Sequence, residues 1–156
     1  MAAIVDHMRD LPPHPEVPAA LARLHDAGFR MVALTNSPLD VARDQIANAG
    51  IASSFDDVIS ADEVRALKPA PEPYRLVAER NGIDISDVCL VAAHGWDITG
   101  ALAAGATAAF VARPGAMLSA LGPRPAIVVA DIAALATELL DGPHHADPGG
   151  ALRGRR

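Results

Sequence analysis

At 156 residues the chain has the length of one domain, enough to bury roughly two thirds of its unfolded surface. Hydrophobic residues make up 51% of it and aromatic ones only 3%, so the core must be filled by Ala, Val, Leu and Ile. A net charge of −6 with no basic cluster before the last four residues excludes nucleic acid as a partner. No apolar run approaches the ~20 residues of a membrane helix, and the amino terminus lacks a secretion-signal layout, so no membrane partner and a cytoplasmic location are expected.

Met1 to Leu11 is amphipathic at best, and Leu11-Pro12-Pro13-His14-Pro15 reads as a linker, because its prolines bar helix and central strand. Pro15 or Pro18 opens a helix with Val17, Leu21 and Leu24 on one face, stopped by Gly28. Phe29 to Leu34 is an apolar strand that runs into Thr35-Asn36-Ser37-Pro38, a helix start and thus a natural anion site. The helix it begins runs to about Asn48 and ends at Gly50.

Asp57-Val58-Ile59-Ser60 is the next strand, and Asp62-Glu63-Val64 a short turn. The prolines of Leu67-Lys68-Pro69-Ala70-Pro71 predict an extended backbone around Lys68. A helix then runs to Arg80 and closes at Asn81-Gly82. Val88 to Ala93 is a buried strand that turns polar at His94-Gly95-Trp96-Asp97 before Ile98, Ala101, Leu102 and Gly105 take up helical spacing. Cys89, the lone cysteine, lies inside that strand as a packed thiol; alone, it rules out an internal disulfide and a multi-Cys zinc site. Thr107 to Ala112 and Ala126 to Ala130 are the last strands, and Ile132 to Leu140 a closing helix capped by Asp131. From Gly142 the composition predicts a disordered tail, in which the pair His144-His145 is a weak metal candidate. The alternation implies an α/β fold, a parallel sheet covered on both faces by right-handed crossovers.

Three polar groups fall at the carboxyl ends of strands, where open α/β sheets bind ligands: Thr35-Asn36-Ser37, Lys68 and His94 to Asp97. Lys68 stands out because every other basic residue of the thirteen is arginine, which points to a need for a compact ammonium. Asp97 admits a simpler reading as a first-turn acid favoured by the helix dipole, Tyr74 as a packing aromatic and Arg113 as a solvated turn.

The order and spacing of these groups resemble the haloacid dehalogenase superfamily of hydrolases, and the surrounding text its L-2-haloacid dehalogenase (type II) branch. The resemblance rests on PPHPEVPAALARLHDAGFRMVALTNS, SADEVRALKPAPEPY and VAAHGWDITGALAAGATAAFVARPG, which together span about Leu11 to Gly115. It implies a three-layer Rossmann-like fold and hydrolysis of a small 2-haloacid, a carboxylate substrate, without a cofactor. An aspartate at the end of the first strand displaces halide from C2, and water hydrolyses the resulting ester. Thr35 and Asn36 match the residues that hold the substrate carboxylate; Trp96 is a further substrate-binding candidate, as a lid or packing residue rather than a reactive one. Lys68 matches the ammonium that steadies the nucleophile, Tyr74 a helper tyrosine, and Asp97 the acid that positions Lys68 or the hydrolytic water.

Two departures qualify what the resemblance implies. Where magnesium-dependent phosphatases of the superfamily carry a carboxylate four residues before the final Asp, this chain has Ala93, which leaves Asp97 a poor magnesium site. Ala92 and His94 replace the Ser and Asn of the dehalogenases; His94 is a candidate base near neutral pH, or a residue that only hydrogen-bonds the loop. No segment before Leu11 reads as a strand ending in Asp-x-x-Gly-Thr. The expectation is therefore a core domain over 12–141 lacking its first central strand and most of the helical cap. Residues 1–11 are then a cap remnant and linker, residues 142–156 the tail, and the chain alone inactive. Such a core exposes two apolar inner strand edges, which invite a strand-donating partner or a homo-oligomer. A magnesium-dependent phosphatase and a non-catalytic Rossmann-like domain that binds anions or a partner are the alternatives.

Overall fold

A computed structural model describes residues 9–142, so the cap-remnant reading of residues 1–8, the tail and His144-His145 lie outside the described residues. The elements alternate: helix α1 (Val17–Asp26), strand β1 (Val32–Thr35), α2 (Leu39–Asn48), β2 (Asp57–Ser60), α3 (Pro71–Asn81), β3 (Cys89–Ala92), α4 (Gly95–Ala104), β4 (Thr107–Val111), β5 (Ile127–Val129) and α5 (Ile132–Asp141). Short 3-10 turns at Ala52–Ser54, Ala61–Val64 and Ile85–Asp87 bridge the longer elements. The strand starts at Val32 rather than Phe29, because Phe29 and Met31 pack with α1 and α5 instead.

Every strand pair is parallel, as the alternation requires, but the strands form two groups rather than one sheet: β1 with β2, and β3-β4-β5 in that order. Among the described residues no strand pairs with the free edge of β1 or with that of β3. A cleft of about 660 Å³ lies between these edges, lined by Val32, Leu34, Cys89 and Val91 of the strands and reached by Tyr74, Lys68 and Asp97.

The core follows from the composition. In β4, Ala108 and Phe110 join Ile98 of α4, and the alternating Ala109 and Val111 are buried on the opposite face. Small side chains at Ala101, Ala104 and Ala106 let α4 lie close to Tyr74 of α3 and to Leu34 and Leu90 of the strands. On the other face α1 and α5 pack around Ala20, Leu24 and Ala136. The layers are therefore helix, sheet, helix, with alanine setting the close spacing where aromatic residues are scarce.

Helix ends are punctuated as read. Gly82 and Gly105 cap α3 and α4 with φ of +64° and +100°, a left-handed conformation that glycine adopts without steric cost. Asp131 accepts a 2.8 Å hydrogen bond from the Ala134 N–H and so satisfies one of the free amides at the start of α5. Arg9 pairs with Asp40 and Asp44 of α2, and Asn48 donates to the Arg9 carbonyl at 3.0 Å, which fastens the described amino-terminal residues to the domain.

Candidate active site

Asp97 is the centre of the site. It sits in the first turn of α4 and is buried, 3% exposed. Its position there is favourable because the free amides of a helix start attract a carboxylate. One carboxylate oxygen accepts from Lys68 Nζ at 2.8 Å and the other from the Tyr74 hydroxyl at 2.6 Å. Tyr74 Oη also lies 3.2 Å from the Asp97 carbonyl. An ion pair this dry stands only when its remaining lone pairs are also satisfied, and the phenol does that here.

Lys68 reaches Asp97 from the turn before α3. Its Nζ donates a second bond, 3.0 Å, to the carbonyl of Leu34 in β1, so the ammonium ties the end of one strand group to the helix that follows the other. The backbone here is not extended, contrary to the reading of the prolines. The Ala70 N–H closes on the Leu67 carbonyl at 3.0 Å, and the Lys68-Pro69 peptide is cis, so the chain turns at Lys68. What aims the side chain is Asn36. Its Oδ1 accepts from the Lys68 N–H at 2.9 Å and its Nδ2 donates to the Lys68 carbonyl at 3.1 Å, so one side-chain amide grips both backbone groups.

Tyr74 is 1% exposed, and burial, followed by the hydrogen bond to Asp97 and the charge there, pushes its phenol far above the usual tyrosine range. It is a permanent donor, which holds the Asp97 carboxylate in place. A Cβ on Gly100 of α4 would stand 2.7 Å from the Tyr74 hydroxyl, the Pro69 Cβ and the Pro69 carbonyl. The missing side chain is therefore what admits the phenol and the Lys68 turn beneath α4. Cys89 faces the same cleft, and burial raises its thiol above the usual range. That makes it a packed thiol rather than a nucleophile.

Lys68, Tyr74 and Asp97 are thus brought together on the lining of the cleft, while Asn36 grips the Lys68 backbone from the end of β1, next to Thr35. The Thr35 Oγ1 accepts from the Ser37 N–H at 3.0 Å, which leaves its own hydrogen free to donate. His94 and Trp96 do not line the cleft: they stand at the start of α4, their rings stacked with centroids 5.5 Å apart and planes at 28°, and Trp96 is 46% exposed. Arg113 is no solvated turn: it forms a 2.6 Å ion pair with Glu16 and so ties the end of β4 to the start of α1. Three contributors had no sequence signal, namely the Leu34 carbonyl, the double grip of Asn36 and the space at Gly100. The first two involve backbone atoms, and the third is an absence of atoms.

The family model for haloacid dehalogenase-like hydrolases matches residues 3–105. The chain is 35% identical over 119 residues to haloacetate dehalogenase H-2 of Moraxella sp. strain B, a match covering 76% of this chain and 53% of that enzyme. It is 40% identical over 103 residues to (S)-2-haloacid dehalogenase of Xanthobacter autotrophicus, covering 66% and 40%. Among solved structures, L-2-haloacid dehalogenase of X. autotrophicus with chloropropionic acid covalently bound superposes with a TM-score of 0.82 at 29% identity, over 88% of this chain and 65% of that one. The chain therefore spans about half the length of the curated relatives it matches. With the parallel α/β order, the match over most of the chain and the agreement in three dimensions, the chain belongs to the haloacid dehalogenase-like hydrolase family.

Proposed function

We propose that this chain forms the ammonium-bearing part of a hydrolytic dehalogenase site that acts on small 2-haloacids without a metal. The observation that carries the proposal is Lys68 Nζ, held between the Leu34 carbonyl and Asp97 at the end of an apolar cleft. Its charge balances the substrate carboxylate and the attacking carboxylate, two anions that otherwise repel each other. The free hydrogen of Thr35 adds a donor for the substrate. In this reading Trp96, stacked on His94, covers the bound substrate, and His94 is the group beside which a water is deprotonated. The names of the relatives, which act on haloacetate and (S)-2-haloacids, support this substrate class.

Asp97 is not the nucleophile in this reading, because both its oxygens are engaged and the carboxylate is buried. The attacking carboxylate comes from a further segment. It displaces halide from C2 to form an ester, and water then cleaves the ester to release a 2-hydroxy acid and regenerate the carboxylate.

Magnesium fits these residues poorly. The same two hydrogen bonds occupy the oxygens a cation would need, position 93 is alanine, and the ammonium 2.8 Å from Asp97 would repel a dication. The phosphatase reading has in its favour a 34% identity over 93 residues to phosphoglycolate phosphatase of Neisseria meningitidis and a TM-score of 0.72, at 26% identity, to a HAD phosphatase of Thermococcus onnurineus. The soluble catalytic unit is proposed to work in the cytoplasm; among the described residues no helix is long and apolar enough to cross a membrane.

A chimera tests the proposal: this chain replaces the segment that it matches in the Moraxella enzyme. Chloride release from chloroacetate or 2-chloropropionate, lost on Lys68→Met, is the expected result. A folded chimera that releases no halide but hydrolyses an aryl phosphate with magnesium would overturn it.

A further inference from the structure

Thr35 closes β1 and Ser60 closes β2, and the parallel register pairs them as the last rung of the ladder. Beyond that rung the two backbones part: β1 turns through Asn36 and Ser37 into α2, and β2 enters the 3-10 turn Ala61–Val64 that leads toward Lys68. One side chain spans the parting. Ser60, 1% exposed, donates its hydroxyl hydrogen to the Ser37 carbonyl at 2.8 Å and accepts the Asp62 N–H at 3.2 Å. Serine is seldom buried so deeply, and a buried hydroxyl is stable only when its hydrogen-bonding capacity is used.

The bond to Ser37 reaches the site in one further step. The Ser37 N–H donates to Thr35 Oγ1 at 3.0 Å, so Ser37 is held on both sides, by Ser60 at its carbonyl and by Thr35 at its amide. The place of that amide sets the side-chain torsion at which the Thr35 oxygen can accept, and so the direction left to the Thr35 hydrogen. Pro38, next in the chain, carries no N–H with which to brace the turn. Ser60 is itself fixed from the surface. Its N–H meets Glu63 Oε1 at 3.3 Å, Glu63 Oε2 accepts from Arg80 of α3 at 2.6 Å, and Arg80 also pairs with Asp57 at the start of β2.

From this geometry we infer that Ser60 is a positioning residue of the site: through the Ser37 carbonyl it locks Thr35 in the rotamer that presents the Thr35 hydrogen to the substrate carboxylate. A simpler role, the cap of the 3-10 turn that Ser60 forms with Glu63, uses its oxygen only as an acceptor. The hydroxyl hydrogen is left over from that role, and it goes to the loop of the other strand, in the shorter of the two bonds. The inference rests on the proposed function for what Thr35 binds, whereas the locking is a property of the chain itself.

The test uses the whole chain, isotopically labelled, and reads Thr35 by nuclear magnetic resonance. Three-bond couplings to its methyl carbon report the side-chain torsion. The other threonines, Thr99, Thr107 and Thr137, whose hydroxyls donate to the Gly95, Val88 and Ala133 carbonyls, serve as internal references. The expected result is one rotamer for Thr35 in the native chain and an average over rotamers in Ser60→Ala. The Ser37 amide should then exchange about tenfold faster while the references stay as they are. Ser60→Cys, close in size and a weaker donor, should fall between the two, and it carries the comparison alone if the alanine variant does not fold. Asp131→Ala, which removes a remote cap, should leave Thr35 locked, so a general loss of stability does not move the readout. In the chimera with the Moraxella enzyme, Ser60→Ala should raise KM for 2-chloropropionate about tenfold and leave kcat within about threefold, because Thr35 grips the carboxylate rather than the reacting carbon. A single Thr35 rotamer that persists in Ser60→Ala overturns the inference. Equal loosening of every threonine, or an unchanged KM, also overturns it, since Ser60 is then structural only. A chimera that is inactive with Ser60 intact counts against the dehalogenase reading, and the Thr35 couplings then decide the locking.

Discussion

Tyr74 is the only tyrosine in the chain, so its ionisation can be followed without interference from another phenol. In the fold its hydroxyl is buried against an ionised carboxylate, and both burial and that negative charge hold its pKa far above the ordinary 10.0. The sign of the linkage follows directly. Below pH 10 the phenol is neutral in both states and its contribution to stability is complete. Above pH 10 the unfolded chain loses the proton and the folded chain does not, so stability falls as pH rises. The loss amounts to about 1.4 kcal/mol for each pH unit above 10. Urea unfolding of the native chain and of Tyr74→Phe between pH 9 and 11, on the order of one unit either side of that ordinary value, isolates this contribution, because Cys89 and the amines titrate in both proteins. The ultraviolet absorbance of phenolate supplies an independent readout. It should stay absent from the folded protein across that range and appear on unfolding. A phenolate transition centred near pH 10 in the folded state, or parallel pH dependence in the two proteins, would refute the buried Tyr74–Asp97 hydrogen bond.

Lys68→Met should cost about 3–5 kcal/mol in urea unfolding, because it strands the Asp97 carboxylate in a dry site, and adding Asp97→Asn should restore much of the loss; a single-variant cost below about 1 kcal/mol would mean that the pair is solvated. Gly100→Ala, which drives a methyl to within 2.7 Å of the Tyr74 hydroxyl and Pro69, should destabilise by about 1–3 kcal/mol and lower chloride release in the active chimera more than Asp131→Ala does. Asp131→Ala removes only the cap of α5, so thermal unfolding should register about 1 kcal/mol with the cleft unaltered.

What the sequence made legible is what repeats along it. The spacing of apolar residues set the order of helices and strands, the glycines marked where α3 and α4 end, and the single lysine stood out against an all-arginine background. Among the described residues β1 and β3 each keep one edge with no strand partner, in line with the two inner edges expected of the sheet. The backbone around Lys68 was misread because prolines report local torsion preferences, whereas the turn closed by the Ala70 to Leu67 hydrogen bond is held by Asn36, 32 residues away in the chain. Arg113 was misread for the same reason: its partner Glu16 lies 97 residues away in the chain.

These long-range bonds have a consequence for how the site is held. Asn36 extends from the end of β1 and fixes the backbone of Lys68, and Lys68 returns to β1 through the Leu34 carbonyl, so the turn and the strand constrain each other. From that anchored loop the ammonium crosses to Asp97, which Tyr74 holds from a third element, α3. Neither strand group therefore positions the charged pair by itself. The β1-β2 group supplies the lysine's footing and the β3-β4-β5 group, through α4, supplies the acid. Because β1 and β3 share no backbone hydrogen bonds, this polar bridge is a principal link between them at the carboxyl end of the cleft.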